Sequence, residues 1–230
     1  MRLSTLFSAC ALAVCLPLQA AEVSVDGTDV TFTYDDSTLF GPAFVVGNSI
    51  FFTPTTFLAQ SANVEGAVQS TATLNIDVQV KSGSTYLMDG FQLMELGDYL
   101  LTGNGSASAQ AVARLQVISK TTTCGLMGSP VCIVADTDDT GVLTAQNALT
   151  DWDLYAEVNY GAMWGPDTHV EAQIQNTLTA TSTVSGDSSL VQKKFNGVGL
   201  VVVEAIPIPA TAWLFGSALA GLVVARRKHR

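Results

Sequence analysis

Apolar and polar residues alternate at every second position over long parts of this chain, and this period limits the fold more than any other feature. The alternation is clearest in the segments 73–80, 151–160 and 169–178. Because successive side chains of a β-strand point to opposite faces, each segment predicts a strand with one buried face and one wet face. Helical periodicity is weak, and the segment 142–149 has room for about two helical turns. The sequence therefore predicts an all-β protein.

Turn-forming residues separate these segments. Asp26-Gly27 lies between two alternating stretches and predicts an early hairpin. Further strands are expected at 50–53, 85–93, 109–118, 131–135 and 198–203. About ten short strands, without an internal repeat or a linker, indicate a single antiparallel β-sandwich in a jelly-roll or immunoglobulin-like order. This acidic domain is expected to span residues 21–205.

Residues 1–20 have the composition of a secretory signal peptide. Arg2 is followed by an apolar stretch at 3–16 and then by small residues up to Ala20. We expect signal peptidase to cut after Ala20 or Ala21 and the chain to be exported across the inner membrane. A lipoprotein signal ending at Cys15 is the alternative, although Val14 is larger than the residue that usually precedes an acylated cysteine.

Residues 206–230 form a tail of three parts. A proline motif comes first, an apolar segment at 211–225 follows, and a basic cluster closes the chain. The motif is Ile206, Pro207, Ile208, Pro209 and Ala210, and the basic stop contains Arg226, Arg227, Lys228 and Arg230. The uncharged run is long enough for a transmembrane helix across a hydrocarbon core of roughly 30 Å, with the basic end in the cytoplasm. A permanent single-pass anchor would have the same features.

The tail resembles the PEP-CTERM sorting signal of Gram-negative bacteria, in its Val-Pro-Leu-Pro-Ala variant, with Ile206 and Ile208 in place of Val and Leu. The order of signal peptide, β domain, closing strand at 197–204 and tail is also similar to that of PEP-CTERM proteins. The resemblance implies processing by an exosortase and a transient stay in the inner membrane. It implies delivery to the cell surface or the exopolysaccharide matrix, but no ligand and no activity.

Charge is concentrated between the two ends. All 20 acidic residues lie there together with five basic ones, which gives this region a net charge of −15. Such a domain repels nucleic acid and anionic lipid, so we expect neutral or cationic partners, including divalent ions.

Cys124 and Cys132 are the two cysteines that remain after processing. Because an exported protein meets an oxidising compartment, they predict a short disulfide loop. A metal site at these cysteines is not expected, because His169 is the single histidine of the region and lies far away in sequence.

Two patterns suggest ligand contacts. Asp136, Asp138 and Thr140 supply oxygens at positions one, three and five of half a calcium loop, which makes calcium a candidate cofactor. The alternative is an acidic, solvated turn after the Cys132 strand. Trp164, in a turn between two strands, and Tyr155, on the polar face of its strand, suggest an aromatic platform for sugars. Alternatively, Trp164 folds back as a lid over the end of the sandwich.

An enzyme is not expected, because the region has one histidine and no Gly-x-Ser-x-Gly elbow. We expect an exported, exosortase-sorted surface or extracellular-matrix protein, associated with biofilm, with a structural or interaction role. The first alternative is a carbohydrate-binding module that contacts exopolysaccharide, with calcium as a candidate requirement. The second alternative is a secreted hydrolase that uses paired carboxylates.

Overall fold

The computed structural model describes residues 22–124 and 131–205 as an all-β, antiparallel protein. The predicted signal peptide at 1–20 lies outside the described residues. The sorting motif at 206–210, the transmembrane helix at 211–225 and the basic stop at 226–230 lie outside them as well. Within the described ranges, no helix has the length and apolarity that crossing a membrane requires.

The strands form two six-stranded sheets. The first sheet has the order β1-β2-β6-β11-β8-β9, with β1 Glu22–Asp26, β2 Val30–Asp35, β6 Gly66–Val80, β11 His169–Ser182, β8 Ser108–Thr123 and β9 Val131–Asp139. The second has the order β10-β7-β12-β4-β3, with β10 Thr150–Asn159, β7 Met88–Thr102, β12 Ser188–Glu204, β4 Ser49–Phe52 and β3 Ala43–Val46. A further strand, β5 Leu58–Ala62, pairs with β12. One helical turn, α1 Gly161–Trp164, precedes β11.

A single hydrophobic cluster lies between the two sheets. The first sheet contributes Phe32, Leu74 and Ile174, and the second contributes Phe52, Phe91 and Leu200. Each of these side chains is fully buried, and burying one apolar side chain of this size contributes about 1.5–3 kcal/mol. The inward face of each alternating segment therefore supplies the core, as the sequence predicts.

The predicted strands are confirmed where the alternation is clear. The segments 73–80, 151–160 and 169–178 fall in β6, β10 and β11, and the hairpin at Asp26-Gly27 joins β1 to β2. The helical turns considered at 142–149 do not form, because Leu143 and Gln146 instead make isolated β-bridges to neighbouring strands.

Several strands are longer than the sequence predicts, and glycines explain part of the difference. Gly97 interrupts the alternation of β7, yet the strand continues to Thr102. A Cβ atom at Gly97 would lie 2.0 Å from the Trp152 ring, so glycine there lets the indole pack against the backbone. In β12, a bulge between Lys193 and Val198 interrupts the alternation of inward and outward residues. The full length of this strand is therefore also not evident from the sequence.

Two predictions from the sequence have different outcomes around β9. The disulfide between Cys124 and Cys132 is confirmed, and it joins the end of β8 to β9. The acidic, solvated turn considered as the alternative after the Cys132 strand does not form at 136–139, because these residues belong to β9 and pair with β8. The turn residue Gly141, with φ 61°, follows the strand instead.

Candidate functional site

One row of residues crosses five of the six strands of the second sheet on its outer face. The β-sheet register places Phe44 opposite Phe51, Phe51 opposite Gly199, Gly199 opposite Met94, and Met94 opposite Tyr155. The glycine lies in the middle strand β12, with apolar and aromatic side chains on both sides. We call this set the aromatic row.

Glycine at the centre of the aromatic row leaves room for a neighbouring aromatic ring. A Cβ atom at Gly199 would lie 2.9 Å from the Phe51 ring, so the ring occupies the space that another side chain would take. Gly197 makes a similar close approach, since its Cβ would lie 2.4 Å from the carbonyl oxygen of Leu96. Both glycines line a groove along β12.

The groove has a volume of about 300 Å³. Its walls include Phe51, Met94, Leu96, Tyr155 and Asp153. Met94, Leu96 and Tyr155 are 47%, 51% and 44% exposed, which is unusual for adjacent apolar side chains on so acidic a domain. A contiguous exposed apolar surface of this kind marks a site of interaction.

Polar groups border the groove near Tyr155. The Tyr155 hydroxyl donates a hydrogen bond to Glu157 at 2.9 Å, and the Gln92 amide donates to the other oxygen of that carboxylate at 3.3 Å. Partial desolvation, together with the hydrogen bond and negative charge of Glu157, raises the pKa of the Tyr155 phenol. The hydroxyl therefore stays protonated at neutral pH, and the Tyr155 side chain lines the groove.

This arrangement suits a neutral, partly apolar ligand. Aromatic faces pack against the apolar face of a sugar ring, and neighbouring carboxylates accept hydrogen bonds from its hydroxyl groups. Anionic ligands would be repelled by Asp153 and Glu157.

The structure separates the two residues expected to form an aromatic platform. Tyr155 lies in the groove, whereas Trp164 lies in α1 and stacks on Tyr160, with ring centroids 4.8 Å apart and planes within 3°. Tyr160 is fully buried, and Trp164 packs against the hydrophobic core. Trp164 thus packs as the lid that the sequence left as the alternative, and it does not line the groove with Tyr155.

The three candidate calcium ligands do not converge. Asp138 and Asp136 accept hydrogen bonds from the backbone N–H groups of Tyr155 and Glu157, at 2.8 and 2.9 Å. Thr140 bonds the backbone of Ala111, accepting from its N–H at 3.0 Å. In residues 22–124 and 131–205, no group of three or more metal-binding side chains is assembled. The calcium loop is therefore not supported, because strand β9 turns its carboxylates towards β10.

Most residues of the groove could not be predicted from the sequence. Phe51, Met94 and Gly199 are far apart along the chain, and only strand pairing brings them together. One local signal existed: Gly197 and Gly199 occur at alternate positions at the start of the apolar run 197–203, which indicates a close approach by another group.

The comparisons with known proteins add no family to this description. No protein-family model matches the chain, and no curated protein matches it. The fold and the groove define the chain as an acidic, antiparallel all-β protein with an aromatic surface groove.

Proposed function

We propose that this chain is an exported, exosortase-sorted protein of the bacterial surface or extracellular matrix, with a structural or interaction role rather than an enzymatic one. The observation that carries the proposal is the tail, in which a proline motif, an uncharged run and a basic stop occur together. A net charge of −15 between the two ends supports it, because strong charge keeps a released domain soluble.

Mass spectrometry of the mature C-terminus tests this proposal in cells that carry an exosortase. Cleavage near Pro207–Ala210 and recovery of the domain outside the inner membrane are the expected results. A Pro207→Ala/Pro209→Ala variant should stay uncut in the membrane, while Pro166→Ala, outside the motif, should be processed normally. Recovery of surface protein that still ends at Arg230 would establish a permanent anchor instead.

A second function, binding of neutral polysaccharide, is favoured by the aromatic row. Phe51 and Tyr155 both line the groove, with Gly199 and Met94 between them in the row, an arrangement in which one glycan chain contacts both. Trp164 and the 136–140 segment have no part in this version of the carbohydrate-binding hypothesis.

A panel of neutral glycans distinguishes this function from a purely structural role. Phe51→Ala and Tyr155→Ala should each weaken binding roughly tenfold, the effect of losing one aromatic contact. Val184→Ala, which also removes an exposed apolar side chain but lies outside the row, should leave binding unchanged. Binding that survives both groove variants would place the ligand elsewhere, and turnover of any glycan would support a hydrolase.

For the architecture, we propose a closed β-sandwich of jelly-roll type. The six strands β6, β7, β8, β10, β11 and β12 alternate between the two sheets in chain order. In immunoglobulin-like order several chain-consecutive strands share a sheet, so the alternation favours the jelly-roll alternative.

A further inference from the structure

Three polar side chains meet inside the hydrophobic core. Glu95 of β7 and Lys193 of β12 form an ion pair whose side chains are 0% and 1% exposed. Asn176 of β11, which belongs to the opposite sheet, donates a hydrogen bond from Nδ2 to the other Glu95 oxygen at 2.7 Å. The amine of Lys193 and the amide of Asn176 thus lie side by side on one carboxylate.

Aromatic rings enclose this cluster. The Lys193 amine lies 5.4 Å from the centroids of both the Phe57 and the Trp152 rings. Desolvation lowers the pKa of Lys193 even though Glu95 acts in the opposite direction. Burial therefore favours the neutral amine, which is a nucleophile, over the ammonium ion.

Asn176 has a second relevant feature. Its carbonyl oxygen Oδ1 is buried and has no hydrogen-bond partner among the described residues. A buried polar atom without a partner is costly, and in a native fold it calls for an explanation. If the amide turns over, Oδ1 takes the place of Nδ2 beside Glu95 and can accept a proton from that residue.

We propose that Lys193 and Asn176 react to form an amide bond between Nζ and Cγ, with Glu95 as the catalytic residue that carries the proton. The product is a covalent bridge between the two sheets. This inference is independent of the proposed sorting and of the groove, because it rests on core residues alone.

The reaction balances without any co-reactant. Glu95 takes a proton from the Lys193 ammonium group, and the resulting amine attacks Cγ of Asn176. Protonated Glu95 donates to Oδ1 while the tetrahedral centre forms. It then takes a proton from the attacking Nζ and delivers it to Nδ2 as the Cγ–Nδ2 bond breaks. The Oδ1 proton returns to Glu95 as the carbonyl re-forms, so Glu95 ends protonated. One C–N bond forms, one breaks, and ammonia leaves; no oxidation or reduction takes place.

Burial favours this step for two reasons. Folding holds amine, amide and carboxyl together, which replaces a collision in solution by an intramolecular reaction. The apolar surroundings also keep out water that would compete with the amine. An unfolded chain has neither advantage, so the bridge should form only after folding.

Peptide mass spectrometry of the purified full chain, incubated in its folded state, tests the proposal. Chymotrypsin cleaves at Leu178 and Leu190, between the two reacting residues, so unbridged peptides separate. We expect the peptides that contain Asn176 and Lys193 to stay joined, with their combined mass lower by one molecule of ammonia. Trypsin should also fail to cut after Lys193, because it requires a free amine.

Variants test the role of each group. Glu95→Gln removes the proton carrier and should leave both peptides unbridged, and Lys193→Met should do the same. Circular dichroism identifies which variants remain folded, and the wild-type result does not depend on them. A folded, incubated wild type with separate peptides of full mass overturns the proposal. A bridge that persists in Glu95→Gln overturns the catalytic role of Glu95.

Discussion

The carboxylate of Asp138 accepts a hydrogen bond from the backbone N–H of Tyr155 at a donor–acceptor distance of 2.8 Å. Asp136 makes the same contact with the N–H of Glu157 at 2.9 Å. These bonds join β9, the last strand of one sheet, to β10, the edge strand of the other. Inward-pointing carboxylates thus occupy N–H groups that would otherwise offer an open edge to another chain.

Removing these carboxylates should weaken the contact between the two sheet edges. We expect Asp136→Ala/Asp138→Ala to lower the free energy of unfolding by about 2 kcal/mol, because two charge-assisted hydrogen bonds at a partly solvated edge are lost. Urea unfolding measures the change, and Asp36→Ala, in an exposed turn, is the matched control. Gel filtration should also reveal association of the double variant through its free β10 edge. Stability equal to that of the control would mean that the carboxylates contribute nothing at this edge.

The disulfide should stabilise the β8–β9 connection. Cys124 and Cys132 are separated by eight positions, and closing so short a loop reduces the entropy of the unfolded chain. A Cys124→Ser/Cys132→Ser variant should unfold about 2–3 kcal/mol more easily. Wild type treated with reductant should match the variant in urea unfolding. An unchanged midpoint in both samples would show that the loop is already ordered without the bond.

Acid should destabilise the domain partly through Asp167. The hydroxyl groups of Ser119 and Thr121 donate to this carboxylate, as do the N–H groups of Thr168 and His169. Burial by itself would raise the pKa of Asp167, but these hydrogen bonds outweigh it and hold the pKa below its usual value.

Because the folded pKa is the lower one, the resulting stability is present at neutral pH and is lost as pH falls below about 4. The free energy of unfolding, measured in urea between neutral and acidic pH, should therefore depend more steeply on pH for wild type than for Asp167→Asn. Glu22→Gln, an exposed control, should keep the wild-type slope. Parallel curves for wild type and Asp167→Asn would contradict the prediction.

Substitution of Trp164 should affect stability, whereas substitution of Tyr155 should affect glycan binding. Trp164 packs on Tyr160 and the core, so Trp164→Ala should cost about 2 kcal/mol of stability and leave glycan affinity unchanged. Tyr155 is an exposed groove residue, so Tyr155→Ala should have the opposite profile. Thermal melting and glycan binding, measured on the same preparations, decide the matter. A loss of affinity in a still-folded Trp164→Ala variant would return that residue to the ligand site.

The sequence by itself determined the strands in which the alternation is clear, and the buried face of each, because side-chain direction along a strand is a local property of the backbone. It also determined the disulfide, since Cys124 and Cys132 are the two cysteines between the predicted signal peptide and the tail. The calcium loop predicted at Asp136 and Asp138 is not supported, because carboxylates at alternate positions occur both in a calcium loop and in a β-strand. Continuation of the inward face from Cys132 through Val134 was the signal that favoured a strand.

Tertiary structure decided which distant residues meet. The aromatic row depends on pairings such as Phe51 with Gly199. The register between strands that are distant in sequence cannot be predicted from the local sequence of either strand. Glu95 and Lys193 carry charged side chains of types that ordinarily face water, yet each is buried. A charged side chain can remain in a core only beside a suitable partner, and that partner is supplied by another strand once the sheets have packed.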